Sequence, residues 1–202
     1  MQKKRGHLKP DHAALYRIAE QQGGYFTAVQ AGRIGFSHRL LWHHVRSGKL
    51  LRSTRGIYRL RRFPSTRFED LYAAWLACGL KSAISHESAL MVHDLSDVLP
   101  RETHLTVPRT ASRRRRGMRL HTNRLRRKDI VRREGLQVTS VPRTIVDVAK
   151  AGLDENQIER AVRESLERGL TTRAELRARV KKSGGRAARL IRCLLEERRG
   201  RR

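Results

Sequence analysis

Apolar residues recur at helical spacing near the start of the chain, where Ala14, Leu15, Ile18 and Ala19 form a stripe. Gly23-Gly24 breaks it. Tyr25-Phe26-Thr27 follows, and Thr27 can cap a short second helix that ends between Gly32 and Gly35. Gly35-Phe36-Ser37 then reads as a tight turn closing on a hydroxyl N-cap. In the helix it opens, Leu41 and Val45 stand one turn apart and point inward. Arg39, His43 and Arg46 recur at i, i+4 and i+7 and face outward. Trp42 sits on the flank and is expected to pack between helices, and His44 is expected to be a hydrogen-bonded core histidine. Gly48 is placed to end the helix in the left-handed conformation. Residues 50–53 and 57–60 alternate as short strands, with Thr54, Arg55 and Gly56 turning between them. Helix, break, helix, glycine turn, helix and hairpin is the order of a winged helix-turn-helix.

Beyond Phe63-Pro64-Ser65-Thr66, a junction in which proline disfavours helix before it, the pattern changes. Phe68, Leu71, Tyr72, Trp75, Leu76 and Cys78 give a broad helical face ended by Gly79. Residues 84–95 read as another helix with Ser85 near its cap. Residues 103–107 and 118–122 alternate as strands, and TASRRRRG between them reads as an arginine-rich hairpin loop. Residues 136–139 are a third strand. Helices follow over 143–151, with Pro142 in the first turn where no N–H is needed, over 154–168 on the stripe Ile158, Ala161, Val162, Ser165 and Leu166, from the Thr171/Thr172 cap, and over 187–197. The expected class is α+β: an N-terminal winged helix-turn-helix followed by a mixed α+β C-terminal domain. The expected boundaries are a basic flexible arm (1–10), the DNA-binding candidate (11–62), the C-terminal domain (67–197) and a basic tail (198–202).

Charge decides what such a scaffold would bind. The 202 residues carry 46 Lys+Arg against 19 Asp+Glu, a net +27. Residues 1–66 hold 14 − 2 = +12 of it and residues 67–202 hold 32 − 17 = +15, so the density is highest in the first third. A balance this basic implies a polyanionic partner, nucleic acid first among them. Arginine outnumbers lysine 37 to 9, which suits bidentate phosphate and guanine contacts but also follows from G+C-rich codons. Cys78 and Cys193 belong to no metal-ligand or redox spacing and read as small buried hydrophobes of a reducing compartment. No stretch approaches a membrane span, and the basic start lacks the apolar core of a secretory signal. Cytoplasm is the expected location.

The residues AEQQGGYFTAVQAGRIGFSHRLLWHHVRSGKLLRSTRGIYRL resemble the N-terminal domain of AbiEi-type antitoxins, the antitoxin half of type IV toxin–antitoxin systems. The resemblance rests on the helix ending in Gly-Gly, the aromatic before Thr27, the Gly35-Phe36-Ser37 turn, Gly48 with Leu50, and Arg55-Gly56-Ile57-Tyr58. ISHESALMVHDL (84–95) and GLQVTSVPRTIVDVAKAG (135–152) extend it. It implies a winged-helix domain that binds double-stranded DNA and represses its own operon. It also implies a second domain needed to counter a nucleotidyltransferase-type toxin without a stable complex between the two. Many relatives continue into a restriction-like nuclease module. No Asp…Glu-x-Lys cluster is present in the closing helices, so that activity is not carried over.

The expected DNA contacts are Ser37 and His38 at the helix N-terminus, where N–H groups and the helix dipole favour phosphate, then Arg39, His43 and Arg46 along the helix, and Arg52, Arg55 and Arg59 on the wing. A second basic patch is expected at Arg113, Arg114, Arg115, Arg116 and Arg119. Residues 109–133 contain twelve Arg or Lys and one acid, Asp129, and carry the alternative of an RNA-binding protein. A nuclease relative is the other alternative. No catalytic residue, metal ligand or cofactor is expected. His86 and His93 share a helical face but stand two turns apart, roughly 10 Å, too far for one ion. His104 and His121 read as a cross-strand pair, and Arg143 with Asp147 as an i, i+4 ion pair. The sequence leaves open whether the protein is a homodimer, which operator it reads and which toxin it opposes.

Overall fold

The structure, a computed structural model, describes residues 9–97, 100–111, 113, 115–181 and 183–196. It divides into two compact units, the first running to Leu80 and including Glu134–Leu136, the second holding the remainder. The arm at 1–8, the tail at 198–202 and Arg114 lie outside the described residues.

In the first unit, α1 (His12–Glu20) is capped by Asp11, whose carboxylate accepts from the Ala14 N–H at 2.8 Å. Strand β1 (Tyr25–Thr27) leads directly into α2 (Ala28–Arg33). Thr27 and Gln30 cap that helix reciprocally: Gln30 N–H donates to Thr27 Oγ1 at 3.0 Å and Thr27 N–H to Gln30 Oε1 at 2.8 Å. Helix α3 (His38–Arg46) begins at Ser37, whose hydroxyl accepts from Leu40 N–H at 3.2 Å. It ends where Gly48, at φ +72°, turns the chain into β2 (Leu50–Thr54). Strand β3 (Ile57–Leu60) returns antiparallel to β2, with a bulge between Arg52 and Thr54.

Two features of this unit depart from the sequence expectation. Residues 25–27 form a strand that pairs antiparallel with β3, so the sheet order is β1-β3-β2 and β3 is its central strand. Helix α4 (Glu69–Cys78) also belongs to this unit rather than to the C-terminal domain and packs on β1 and β3. Both faces of β3 are thereby covered, and Ile57, Tyr58 and Arg59 are all buried. Gly23 shows how closely α4 approaches: at φ +63°, a Cβ there would lie 2.4 Å from Cε2 of Tyr72. The core on the other side joins Leu15, Phe26, Phe36, Leu41, Leu50 and Tyr58.

The second unit carries a five-stranded sheet in the order β6-β5-β4-β8-β7, made of β4 (Ala83–Ile84), β5 (Thr103–Thr106), β6 (Met118–His121), β7 (Ile130–Arg133) and β8 (Leu136–Thr139). Strand β4 runs antiparallel to β5 and parallel to β8. Strands β5 and β6 are parallel, not the expected hairpin. The arginine-rich segment between them is therefore a return connection, because parallel neighbours must be joined end to start. Ile84 lies in β4, and helix α5 (His86–Val92) begins only after Ser85.

Helices α6 (Val141–Ala151), α7 (Glu155–Glu167), α8 (Arg173–Val180) and α9 (Gly185–Glu196) complete the unit. Their inward stripes meet in one core of Val141, Ile145, Ile158, Leu176, Ile191 and Leu195. Asp154 and Thr172 cap α7 and α8 through their side chains. Cys78 is buried as expected, while Cys193 is exposed on α9. No helix among the described residues is long and apolar enough to cross a membrane.

Candidate nucleic-acid interface

Helix α3 is divided along its length. Leu41 is fully buried, His44 nearly so and Val45 half-buried, while His38, Arg39, Trp42, His43 and Arg46 are exposed. The division follows from the local sequence: Ser37 sets the helix start, and the 3.6-residue period then aims Leu41, His44 and Val45 at the Leu15–Phe36–Tyr58 core. Trp42 corrects an expectation. It does not pack between helices but is 60% exposed, with the Arg46 guanidinium 5.4 Å from its ring centroid. The outward face of α3 is thus an indole flanked by cations.

Ser37 spends its oxygen on the cap, which leaves its O–H free to donate to a phosphate. Arg52 and Arg55 are exposed on the wing, as are Arg61 and Arg62 just beyond it. Among the described residues, no carboxylate forms an ion pair with Arg39, Arg46, Arg52 or Arg55.

Arg59 does not join this face. It was expected on the wing surface by strand alternation, but it is 6% exposed on the central strand. Its Nη2 donates to the carbonyls of Phe63 (2.9 Å) and Pro64 (3.0 Å) and to Glu69 Oε1 (3.0 Å). The guanidinium also lies over the Tyr25 ring at 5.8 Å. Burial, then the Glu69 carboxylate, pushes the Tyr25 phenol up to about 12. Arg59 is a structural cation that fastens β3 to the junction and to α4.

His44 occupies the core side of α3 edge-on to His12, ring centroids 5.7 Å apart. Neither of its ring nitrogens has a hydrogen-bond partner among the described residues, so it is buried but not satisfied. Burial, then the Lys49 charge, lowers its pKa.

In the second unit, Arg113, Arg116 and Arg119 are exposed and Arg115 is half-buried. Arg143 is buried, and its Nε donates to Asp147 at 2.6 Å while Nη1 reaches Asp129 at 3.5 Å. Arg179 binds the other Asp129 oxygen at 3.1 Å. This four-member network ties α6 and α8 to the segment before β7 and is structural in character. Burial raises the Asp147 carboxyl, against the pull of Arg143. A cleft of about 670 Å³ opens beside it, bordered by Lys128, Arg132, Arg133 and Arg179.

His93 is buried and its Nε2 bonds the Thr139 carbonyl at 2.8 Å, apart from any other histidine. His86, by contrast, meets His104 and His121. That convergence spans three elements, and the sequence reading, which paired His86 only with His93, missed it.

Residues 14–61 match the family described as "Transcriptional regulator, AbiEi antitoxin". The match lies within the N-terminal unit, and the remainder of the chain lies outside it. The fold is similar to that of the crystal structure of the RV2827C protein from Mycobacterium tuberculosis, with a TM-score of 0.55 at 13% identity, over 90% of this chain and 74% of that chain. Identity at that level speaks to the fold alone. No curated protein sequence matches the chain.

Proposed function

We propose that the protein is a DNA-binding autorepressor and the antitoxin of a type IV toxin–antitoxin system, opposing a nucleotidyltransferase-type toxin. The observation that carries the DNA-binding part is the acid-free outward face of α3, with Arg39, Trp42, His43 and Arg46 exposed beside Arg52 and Arg55 of the wing. All of it lies inside the family-matched span. The mechanism is binding without catalysis. Helix α3 enters the major groove, where arginine can bond guanine O6 and N7, each bidentate pair being worth ~1–3 kcal/mol of discrimination. The wing and the Ser37 end of the helix hold phosphates and set the register. The antitoxin part is supported by the family description, and the nucleotidyltransferase type of the toxin by the resemblance of the sequence to AbiEi-type antitoxins; the second unit is the candidate effector.

A second reading is favoured by one observation: Arg113, Arg116 and Arg119 are exposed in the second unit. It makes the protein an RNA binder through residues 109–133.

A salt-titrated gel shift separates the two. The ligands are the duplex upstream of the gene, a scrambled duplex of equal length and an RNA hairpin. A +27 chain binds all three at low salt. The repressor reading expects the upstream duplex to remain ~10³-fold tighter than the scrambled one at physiological salt. Equal affinity for the two duplexes with tighter RNA would transfer the function to the arginine-rich segment.

A further inference from the structure

The histidines of the second unit converge from three separate elements. His86 opens α5, His104 lies on β5 and His121 ends β6. The parallel register sets His104 against Arg119 and Thr106 against His121, so the two strand histidines are diagonal neighbours on one face of the sheet. His86 covers them: its ring centroid is 3.5 Å from that of His121 and 5.8 Å from that of His104, with 5.3 Å between the last two. One ring nitrogen from each residue lies within 4.8 Å of the others.

Three further facts concern those nitrogens. His104 Nδ1 and His121 Nε2 are buried and have no hydrogen-bond partner among the described residues. His86 Nδ1 faces the Ser85 hydroxyl at 3.0 Å, which fixes that ring and leaves Nε2 as its ligand atom. Burial lowers all three pKa values and so favours the neutral rings; repulsion from neighbouring histidines adds to this at His86, down to about 3, and at His121, down to about 4. The neutral imidazole is the form that binds a metal. His86 also adopts φ +52°, a left-handed backbone that a non-glycine residue keeps only where its surroundings enforce it. Buried polar nitrogens without partners are unfavourable, and one cation bound by the His104 and His121 nitrogens together with His86 removes that deficit.

We infer that His86, His104 and His121 form a binding site for one divalent transition-metal ion of the zinc class, which clamps α5 onto strands β5 and β6. Tetrahedral zinc, with Zn–N of ~2.0–2.1 Å, places its ligand nitrogens ~3.3 Å apart. The three nitrogens must therefore close in by up to about 1.5 Å, and the stacked His86 and His121 rings must splay so that their lone pairs converge. No fourth side chain among the described residues joins the group, so the fourth position falls to water or an anion. Arg119 and Arg143 act on His86 electrostatically, and their charge favours an anion there.

The test uses the full chain without an affinity tag, stripped with chelator and titrated with Co²⁺. The expected result is one equivalent bound per chain, with the visible absorption of a tetrahedral cobalt–imidazole site. One equivalent of Zn²⁺ should displace it, and the melting temperature should rise with free zinc. His121→Asn, chosen because this ring is only half-buried, should abolish the absorption while leaving the metal-free circular dichroism unchanged. Absence of stoichiometric uptake by the natural chain, or unchanged uptake by the variant, overturns the proposal. Should the variant unfold, ring ¹⁵N shifts of the natural chain decide. Zinc-dependent shifts confined to three imidazoles support the site, and shifts confined to exposed His38 and His43 overturn it.

Discussion

Arg59→Ala separates a structural cation from a DNA contact, because the two roles predict opposite losses. The side chain is 7% exposed and donates to two carbonyls at 2.9 and 3.0 Å and to Glu69 at 3.0 Å. Hydrogen bonds from a charged group contribute ~1.5–3 kcal/mol each, but they do not simply add. The carbonyls belong to a junction that water can reach, and the Glu69 side chain is 37% exposed, so it regains hydration once its partner is gone. A net destabilisation of about 2–4 kcal/mol follows, less than the ~3–5 kcal/mol of a fully buried broken pair. For a chain of this size ~1 kcal/mol shifts the melting temperature by ~2–4 °C, so a fall on the order of 5–15 °C is expected.

DNA binding by Arg59→Ala, measured well below its melting point, should keep the natural salt dependence. Arg52→Ala and Arg55→Ala should behave inversely. Each side chain is exposed, so stability changes by less than ~0.5 kcal/mol. The slope of log K against log salt should become shallower by ~0.9 for each phosphate contact removed. The assays are thermal melts by circular dichroism and fluorescence anisotropy at several salt concentrations. An Arg59→Ala protein that melts with the natural chain while its salt slope falls by about one contact would refute the burial argument.

Other consequences follow from the same structure. Trp42→Ala should weaken specific DNA binding tenfold or more with little change in melting temperature, measured by anisotropy and circular dichroism, since the indole is 60% exposed. Unchanged affinity would remove Trp42 from the interface. Arg143→Met should destabilise by ~3–5 kcal/mol in urea, because it leaves the buried Asp147 carboxylate without its partner, while Asp129 keeps Arg179. Asp147 is already raised by burial, and a raised carboxyl loses its stabilising contribution as pH rises through its folded value. The deficit should therefore be larger at neutral pH than in mild acid, and a constant deficit would contradict this. For the histidine cluster the sign is the reverse. The folded values of His86 and His121 lie below the unfolded 6.5, so the metal-free chain should lose stability as pH falls from 6.5 towards about 3. A pH series of melts in which His121→Asn shows the same slope would count against it.

Local rules made much of the interface legible. Ser37 and Gly48 bracket α3 through interactions that span only a few residues; the wing turns at Arg55-Gly56, whereas Thr54, expected in the turn, is the last residue of β2 and pairs with Ile57. What escaped depends on long-range pairing. Strand β1 has three residues, too short to declare itself, yet its pairing makes β3 central and buries Arg59. Strands β5 and β6 alternate like hairpin arms, and alternation does not distinguish parallel from antiparallel pairing. Trp42 lies between the two faces of α3, where helical phase alone does not settle burial. The His86–His104–His121 group exists only once α5 is laid over β5 and β6, and neither spacing nor motif announces it. Arg143 with Asp147 was legible as an ion pair at i, i+4, whereas its tie to Asp129 needed the tertiary fold.

The central claim is that the outward face of α3 reads DNA. It is tested most directly by the affinity ratio of upstream to scrambled duplex at physiological salt, for the natural chain and for Arg39→Ala/Arg46→Ala. Both arginines are exposed, so the double variant should melt with the natural chain. The account predicts that a ratio of ~10³ collapses towards one, with residual non-specific binding sustained by the remaining positive charge. A ratio that survives the double substitution would show that sequence is read elsewhere and would contradict the account.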